Sequence, residues 1–187
     1  MSIILYDSDP RLATRLRTER EGRGWSIADL AARSSVSRAM ISKIERGEAS
    51  PTAALLGRLS AAFGLTMSQL FARIECSGGL VTRASEQPAW RDPATGFRRR
   101  SLSPPADAPM ELVWGEMPPG AAVAYPAESY LYLLDQQIVV LSGQLTVVHG
   151  GDTYVLDPGD CMRYGPPSDS VIRNDGTETA RYIVAEI

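Results

Sequence analysis

The chain has 187 residues, enough for one large domain or two small ones, and its 44% hydrophobic and 22% charged content is ordinary for a globular protein. No apolar run is long enough to span a bilayer and residues 1–10 lack a basic-then-apolar leader, so a cytoplasmic location is expected. The net charge of −3 is uneven: residues 1–73 carry 11 Lys and Arg against 7 Asp and Glu, and residues 74–187 carry 8 against 15. A basic N-terminal part on an acidic remainder suits a head that meets phosphate and a body that does not. Cys76 and Cys161 lie far apart in sequence and suggest neither a disulfide framework nor a zinc site.

Residues 1–10 read as a loose arm with a short apolar element at Ile3, Ile4 and Leu5. Residues 11–23 have helical spacing, with Leu12 and Leu16 four apart, and Gly22 and Gly24 end the helix. Ser26 caps a second helix and Asp29, three residues on, completes a capping-box pattern. Ser34 and Ser35 form a turn where many motifs of two helices at a tight turn carry a glycine able to take a left-handed conformation, and serine there is a mild departure. Ser37 then caps a third helix over residues 38–46, with Met40, Ile41 and Ile44 inward, and Gly47 stops it. Thr52 caps a fourth helix through Phe63, and residues 66–71 form a fifth. Two short helices at a tight turn, the second with Arg and Lys facing outward, have the shape of a helix-turn-helix that lays one helix in the DNA major groove.

From Cys76 the pattern changes. Cys76, Ser77, Gly78 and Gly79 read as a linker, and five prolines between residues 88 and 109 preclude a long helix. Short β-type runs follow at 80–82, 97–102, 111–114, 121–125, 130–134, 138–141, 144–149, 153–156, 161–164, 170–173 and 180–187. Pairs such as Ser142-Gly143, Gly150-Gly151, Pro158-Gly159 and Asp175-Gly176 separate them, which predicts a closed or sandwiched antiparallel sheet.

The head resembles the phage-repressor-like (XRE) helix-turn-helix family over about residues 10–72, carried by Leu16-Arg17, the run from Trp25 through Ala31, Val36-Ser37-Arg38, the run from Ile41 through Gly47, Ser50-Pro51-Thr52 and the run from Leu55 through Leu59. That resemblance implies a bacterial-type transcriptional regulator. It places Ser37, Arg38, Ala39, Ser42 and Lys43 on the outward face or leading end of the recognition helix, where Arg and Lys donate to guanine or phosphate. Ser26 heads the preceding helix, where free N–H groups suit a phosphate, and Arg46 is assigned a phosphate contact. Glu45 is the exception. By resemblance it pairs internally with Arg17.

Residues 80–187 resemble the cupin superfamily, a small double-stranded β-barrel, through Met117-Pro118-Pro119-Gly120, the run from Ile138 through Val147, Tyr154 through Asp160, and Asn174-Asp175-Gly176. The expected fold class is therefore α+β multidomain: a five-helix all-α head at 1–73, a linker at 74–79, and an all-β cupin domain at 80–187. A cupin enzyme typically holds a metal with two His and a Glu from its first motif and a His from its second. Here those places fall at Ser129 to Tyr132, Gln136 and near Ser170, and the single histidine, His149, fits none of them. Amide and hydroxyl groups are poor transition-metal ligands, so neither metal nor other cofactor is expected.

The barrel then reads as an effector pocket, with Tyr125, Tyr130, Tyr132, Gln136, Arg163, Tyr164 and Ser170 as candidate contacts. Arg98, Arg99 and Arg100 form a basic run whose first and third members share a face; a solvated face is the favoured reading, with a phosphate contact or an anionic effector as the alternatives. The favoured function is a DNA-binding regulator with a metal-free sensor body that dimerises to read a palindromic operator. The alternatives are a cupin isomerase or oxygenase tethered to a DNA-binding domain, or a barrel that serves only to dimerise.

Overall fold

The computed structural model describes residues 10–72, 80–104 and 110–187. The expected arm over residues 1–9, the linker and Cys76 lie outside these residues. Five helices open the chain: α1 (Pro10–Gly22), α2 (Ile27–Ser34), α3 (Arg38–Glu45), α4 (Ala53–Phe63) and α5 (Met67–Ala72). The local chemistry matches the expected caps. The Ser26 hydroxyl accepts from Asp29 N–H while the Asp29 carboxylate accepts from Ser26 N–H, and the hydroxyls of Ser37 and Thr52 cap α3 and α4 by accepting from Met40 N–H and Leu55 N–H. Ser35 takes the left-handed conformation of the turn (φ 55°). The buried Ser34 hydroxyl holds that turn, donating to Leu30 C=O and accepting from Val36 N–H. Leu12, Leu16, Leu30, Ile41, Ile44, Leu56 and Leu59 form the core of the head, each 2% exposed or less.

Ten strands follow: β1 (Ala89–Arg91), β2 (Arg98–Ser101), β3 (Glu111–Met117), β4 (Ala122–Tyr125), β5 (Gln136–Ser142), β6 (Leu145–His149), β7 (Asp152–Leu156), β8 (Cys161–Arg163), β9 (Ser170–Arg173) and β10 (Ala180–Glu186). They form one sheet in the order β1-β2-β3-β10-β5-β8 and another in the order β4-β9-β6-β7. All pairings are antiparallel. With β1 and β2 set aside as an extension, β3-β10-β5-β8 facing β4-β9-β6-β7 is the jelly-roll strand order, the architecture of cupins. Buried Asn174 joins the two ends of this pattern. Its amide donates to Met117 C=O and Glu178 C=O, and its side-chain oxygen accepts from Gly176 N–H.

Two expected strands are not strands. Residues 80–82 have no regular structure, and 130–134 follow a 3-10 turn at Ala127–Tyr130. The chain leaves β4 at Pro126, and Ser129 N–H bonds back to Pro126 C=O, so the apolar residues that look like a strand instead coil under α4. The β1 strand went unread because its Trp90 is flanked by prolines and by Asp92.

The head docks on one end of the barrel through α4 and α5. Buried Asp92, in the turn between β1 and β2, accepts from Ala53 N–H at the start of α4 (3.2 Å). Phe71 of α5 packs against Trp90, and the Arg99 guanidinium lies 5.2 Å from the Phe71 ring centre. Gly57, in the middle of α4, permits the close approach: a Cβ there would lie 3.3 Å from Ser129 Oγ and 3.5 Å from Tyr125. Inside the barrel, Tyr182 lies across Gly115, its cross-strand partner, so that a Cβ on Gly115 would lie 2.3 Å from the ring. Gly115→Ala is therefore expected to lower stability by about 1–3 kcal/mol by displacing Tyr182, measured by urea denaturation. Tyr182→Leu should relieve most of that cost, giving a non-additive double mutant.

Candidate DNA interface and interdomain cavity

On α3, Arg38, Ala39 and Lys43 are exposed on the side opposite the buried Ile41 and Ile44. Among the described residues, Arg38 and Lys43 form no salt bridge, which leaves both cations available to an anionic partner. Ser42 lies on the same face and accepts from Arg46, which also forms a two-pronged pair with Glu48 (2.6 and 2.8 Å). Ser37 Oγ already caps α3. Ser26 is exposed at the head of α2, but its N–H and O–H both point to the Asp29 carboxylate, so a phosphate there would have to compete with a resident anion. Hydrogen bonds from Ser26 hold the Asp29 carboxyl below its usual range.

The expected Arg17–Glu45 pair is not formed. Glu45 accepts two hydrogen bonds of 2.7 Å from Arg20, whose Nη1 also donates to Trp25 C=O, while Arg17 pairs with Glu21 at the surface. The reason is helical periodicity. Arg20 continues the Leu12, Leu16 stripe at i+4 and faces α3, whereas Arg17 is turned about 100° away. The Glu45 hydrogen bond raises the Arg20 pKa.

The second site is a cavity of about 70 Å³ where the head meets the barrel. Gly57, Ser60, Thr66 and Met67 line it from the head, and Arg99, Tyr125, Tyr130, Gln136, Tyr182 and Glu186 from the barrel. Three expected effector contacts, Tyr125, Tyr130 and Gln136, therefore come together. Tyr164 and Ser170 do not line it: Tyr164 stacks on Tyr130 against His149, and Ser170 Oγ donates to Val148 C=O. Tyr132 and Arg163 are corrected. Tyr132 is on the surface against Gly64 of the head. Arg163 points outward because strand alternation turns Met162 inward, and it pairs with Asp135 at the rim of a neighbouring groove.

The sequence reading missed Arg99, Glu186 and Ser60. Arg99 was legible: it shares a strand face with Phe97, so an inward Phe97 brings Arg99 inward, and it is only 6% exposed. Burial raises the pKa of the Tyr125, Tyr130 and Tyr182 phenols, which stay protonated. Glu111 stands directly across from Glu186 on β3 and β10, and desolvation reinforced by Glu186 lifts its pKa to about 7. Among the described residues, no group of three or more His, Cys, Asp or Glu is placed to hold a metal ion. The guanidinium, carboxylate, amide, phenols and hydroxyls lining this cavity do not fit a transition metal.

Residues 16–70 form a helix-turn-helix domain of the kind that binds DNA, and the chain is a transcriptional regulator that joins this domain to a jelly-roll body. Residues 16–70 match the family described as "Helix-turn-helix" (HTH_3). The HTH-type transcriptional regulator SutR of Escherichia coli (strain K12) is 27% identical over 177 residues, covering 91% of each chain. A solved HTH_3 family transcriptional regulator from Vibrio cholerae superposes with a TM-score of 0.74 at 22% identity, covering 95% of this chain and 94% of that one, which shows that the whole two-part fold is shared. No helix among the described residues is long and apolar enough to cross a membrane.

Two predictions follow from this geometry. Glu45→Ala strands the Arg20 guanidinium and should destabilise the head by about 3–5 kcal/mol, whereas Arg17→Ala should change stability by less than about 0.5 kcal/mol; chemical denaturation separates them. Folding raises the Glu111 pKa above its usual 4.5, so the folded state holds the extra proton and stability falls as pH rises from about 4.5 to about 7. Glu111→Gln should therefore raise the melting temperature at pH 8 and leave it nearly unchanged at pH 4.5.

Proposed function

We propose that this regulator couples a small-molecule effector to DNA binding through the cavity between head and barrel, and that it acts by binding rather than catalysis. The observation that carries the reading is the composition of the cavity wall. Because α4 and α5 supply part of it, an occupant touches the DNA-binding domain directly. A ligand shifts a conformational equilibrium only by its difference in affinity between the two states. An occupant that bonds to Ser60 of α4 and to the barrel together has such a difference, because it loses one set of partners when the head moves. We divide the chain at 1–73 for the head, 74–79 for the linker and 80–187 for the barrel.

The DNA contacts are assigned to Arg38, Ala39, Ser42 and Lys43 in the major groove, and to Ser26, Ser37 and Arg46 on phosphates. Arg38 and Lys43 are the leading pair because neither is engaged in a salt bridge. One such helix reads few base pairs, so two heads are assigned to a palindromic operator with half-sites about 34–36 Å apart. Dimerisation is assigned to the barrel. Early strands β1 and β2 are occupied by the head, so the supporting feature is the unpaired edge at β7, where Tyr154 and Val155 are exposed.

The test is binding to an operator selected from random DNA. Arg38→Ala should weaken operator binding by about 1–3 kcal/mol and relax preference at one base pair. Arg46→Ala should weaken all sequences alike, with a salt slope lower by about one. Unchanged operator affinity in Arg38→Ala would remove it as a base reader.

A further inference from the structure

Three side-chain oxygens around the cavity, Ser60 Oγ, Ser129 Oγ and Gln136 Oε1, are buried and have no hydrogen-bond partner among the described residues. They come from three separate elements, α4, the 3-10 turn and β5, and Ser60 is only 2% exposed. Buried polar groups are normally satisfied, so three unsatisfied ones around a single space point to a molecule that fits it. Their chemistry is specific. Two are hydroxyls able to donate. The third is an amide oxygen that can only accept, and its NH₂ is already given to Glu186 Oε1 (3.3 Å).

The charges divide in the same way. Arg99 reaches the cavity from β2, stacked on Phe71 and bonded to Ser101 Oγ (3.4 Å). Glu186 reaches it from the far end of β10, four residues beyond Tyr182, which is two strands across from Arg99 in the sheet register. That register sets their Cα atoms roughly 16 Å apart, and both side chains line the space between. The cavity is thus lined by a cation at Arg99, an anionic acceptor pair at Glu186 and Gln136, and the hydroxyls of Ser60 and Ser129. Phe97, Val113, Ile172 and Val184 supply apolar walls.

We propose that the cavity binds a compact zwitterion of the α-amino acid type. Its carboxylate accepts from Arg99 and the serine hydroxyls, and its ammonium donates to Glu186 and Gln136 Oε1. An ammonium has only donors and a carboxylate only acceptors, so the two ends of such a ligand are complementary to the acceptors and donors that line the cavity. The volume agrees with a compact ligand. On a scale where one water needs about 10–15 Å³, the space holds roughly five to seven non-hydrogen atoms, the size of glycine, alanine or serine. This inference rests on the reading of the cavity as the effector site.

The experiment is calorimetric and thermal-shift titration of the full-length protein with glycine and with the L and D forms of alanine and serine. Propionate and ethylamine, which are alanine without its ammonium and without its carboxylate, serve as controls. At least one amino acid should bind saturably and raise the melting temperature, with both controls at least about tenfold weaker. Arg99→Gln and Glu186→Gln should each weaken binding by about tenfold or more. Ser60→Ala, a mild change, should also weaken it and serves if the Arg99 variant does not fold. No binding by any amino acid, or propionate or ethylamine binding as tightly as the amino acid, overturns the proposal. Operator affinity measured with and without each compound separates the two readings. A control compound that binds and changes operator affinity keeps the cavity as an effector site and removes only the zwitterion, whereas an amino acid that binds without changing operator affinity keeps the zwitterion and removes the sensor.

Discussion

The Arg99 guanidinium is buried in the seam between two domains, and much of the surrounding arrangement answers to that one charge. A buried cation is tolerated only when anions, hydrogen-bond acceptors or aromatic faces surround it. Here Phe71 arrives from the head, Ser101 from its own strand, and the Glu111 carboxyl of β3 acts on it through space. A jelly roll closed by its own side chains would leave no place for this charge. The barrel instead stays polar at the end that the head covers, and the head must be there to cover it.

The covering is close because the sequence removes side chains where the domains meet. Gly57 lets α4 lie against Tyr125 and Ser129, and the Asp92 carboxylate receives a free N–H at the start of the same helix. Contacts of this kind hold the head at a defined angle on the barrel while leaving the outer face of α3 clear. The α3 face assigned to DNA and the α4–α5 surface that meets the barrel belong to one small helical core. Between α4 and α3 lies α2, which contacts both, and Leu30, Ile41, Leu56 and Leu59 of these helices are all at most 1% exposed. Cores of this density shift as units rather than deform locally.

The charged residues of the head divide according to depth. Arg20 and Glu45 form a buried, doubly hydrogen-bonded pair that holds α1 to α3, and removing one partner leaves the other desolvated and unmatched. Arg38 and Lys43 are solvated, so presenting them to phosphate costs little desolvation at the outset. Arg46 is intermediate in role, since Glu48 must be displaced before it can turn to DNA.

Most of the architecture was legible in local sequence. The capping serines, the apolar stripe of each helix, the glycine and proline turns and the alternation within strands are encoded within a few residues, so five helices and most of the strands were readable. The absence of imidazole and carboxylate at the metal positions of the cupin motifs was equally plain. What the tertiary structure decided were choices between near equivalents: Arg20 rather than Arg17 for Glu45, Arg99 rather than its two neighbours for the interior, and a 3-10 turn where Tyr130 and Leu133 looked extended. The docking of the head over the barrel, which brings Ser60 to Gln136 and Glu186, has no local signature at all. Those residues are separated by more than seventy positions in the chain, and only the packing of two cores against each other makes them neighbours.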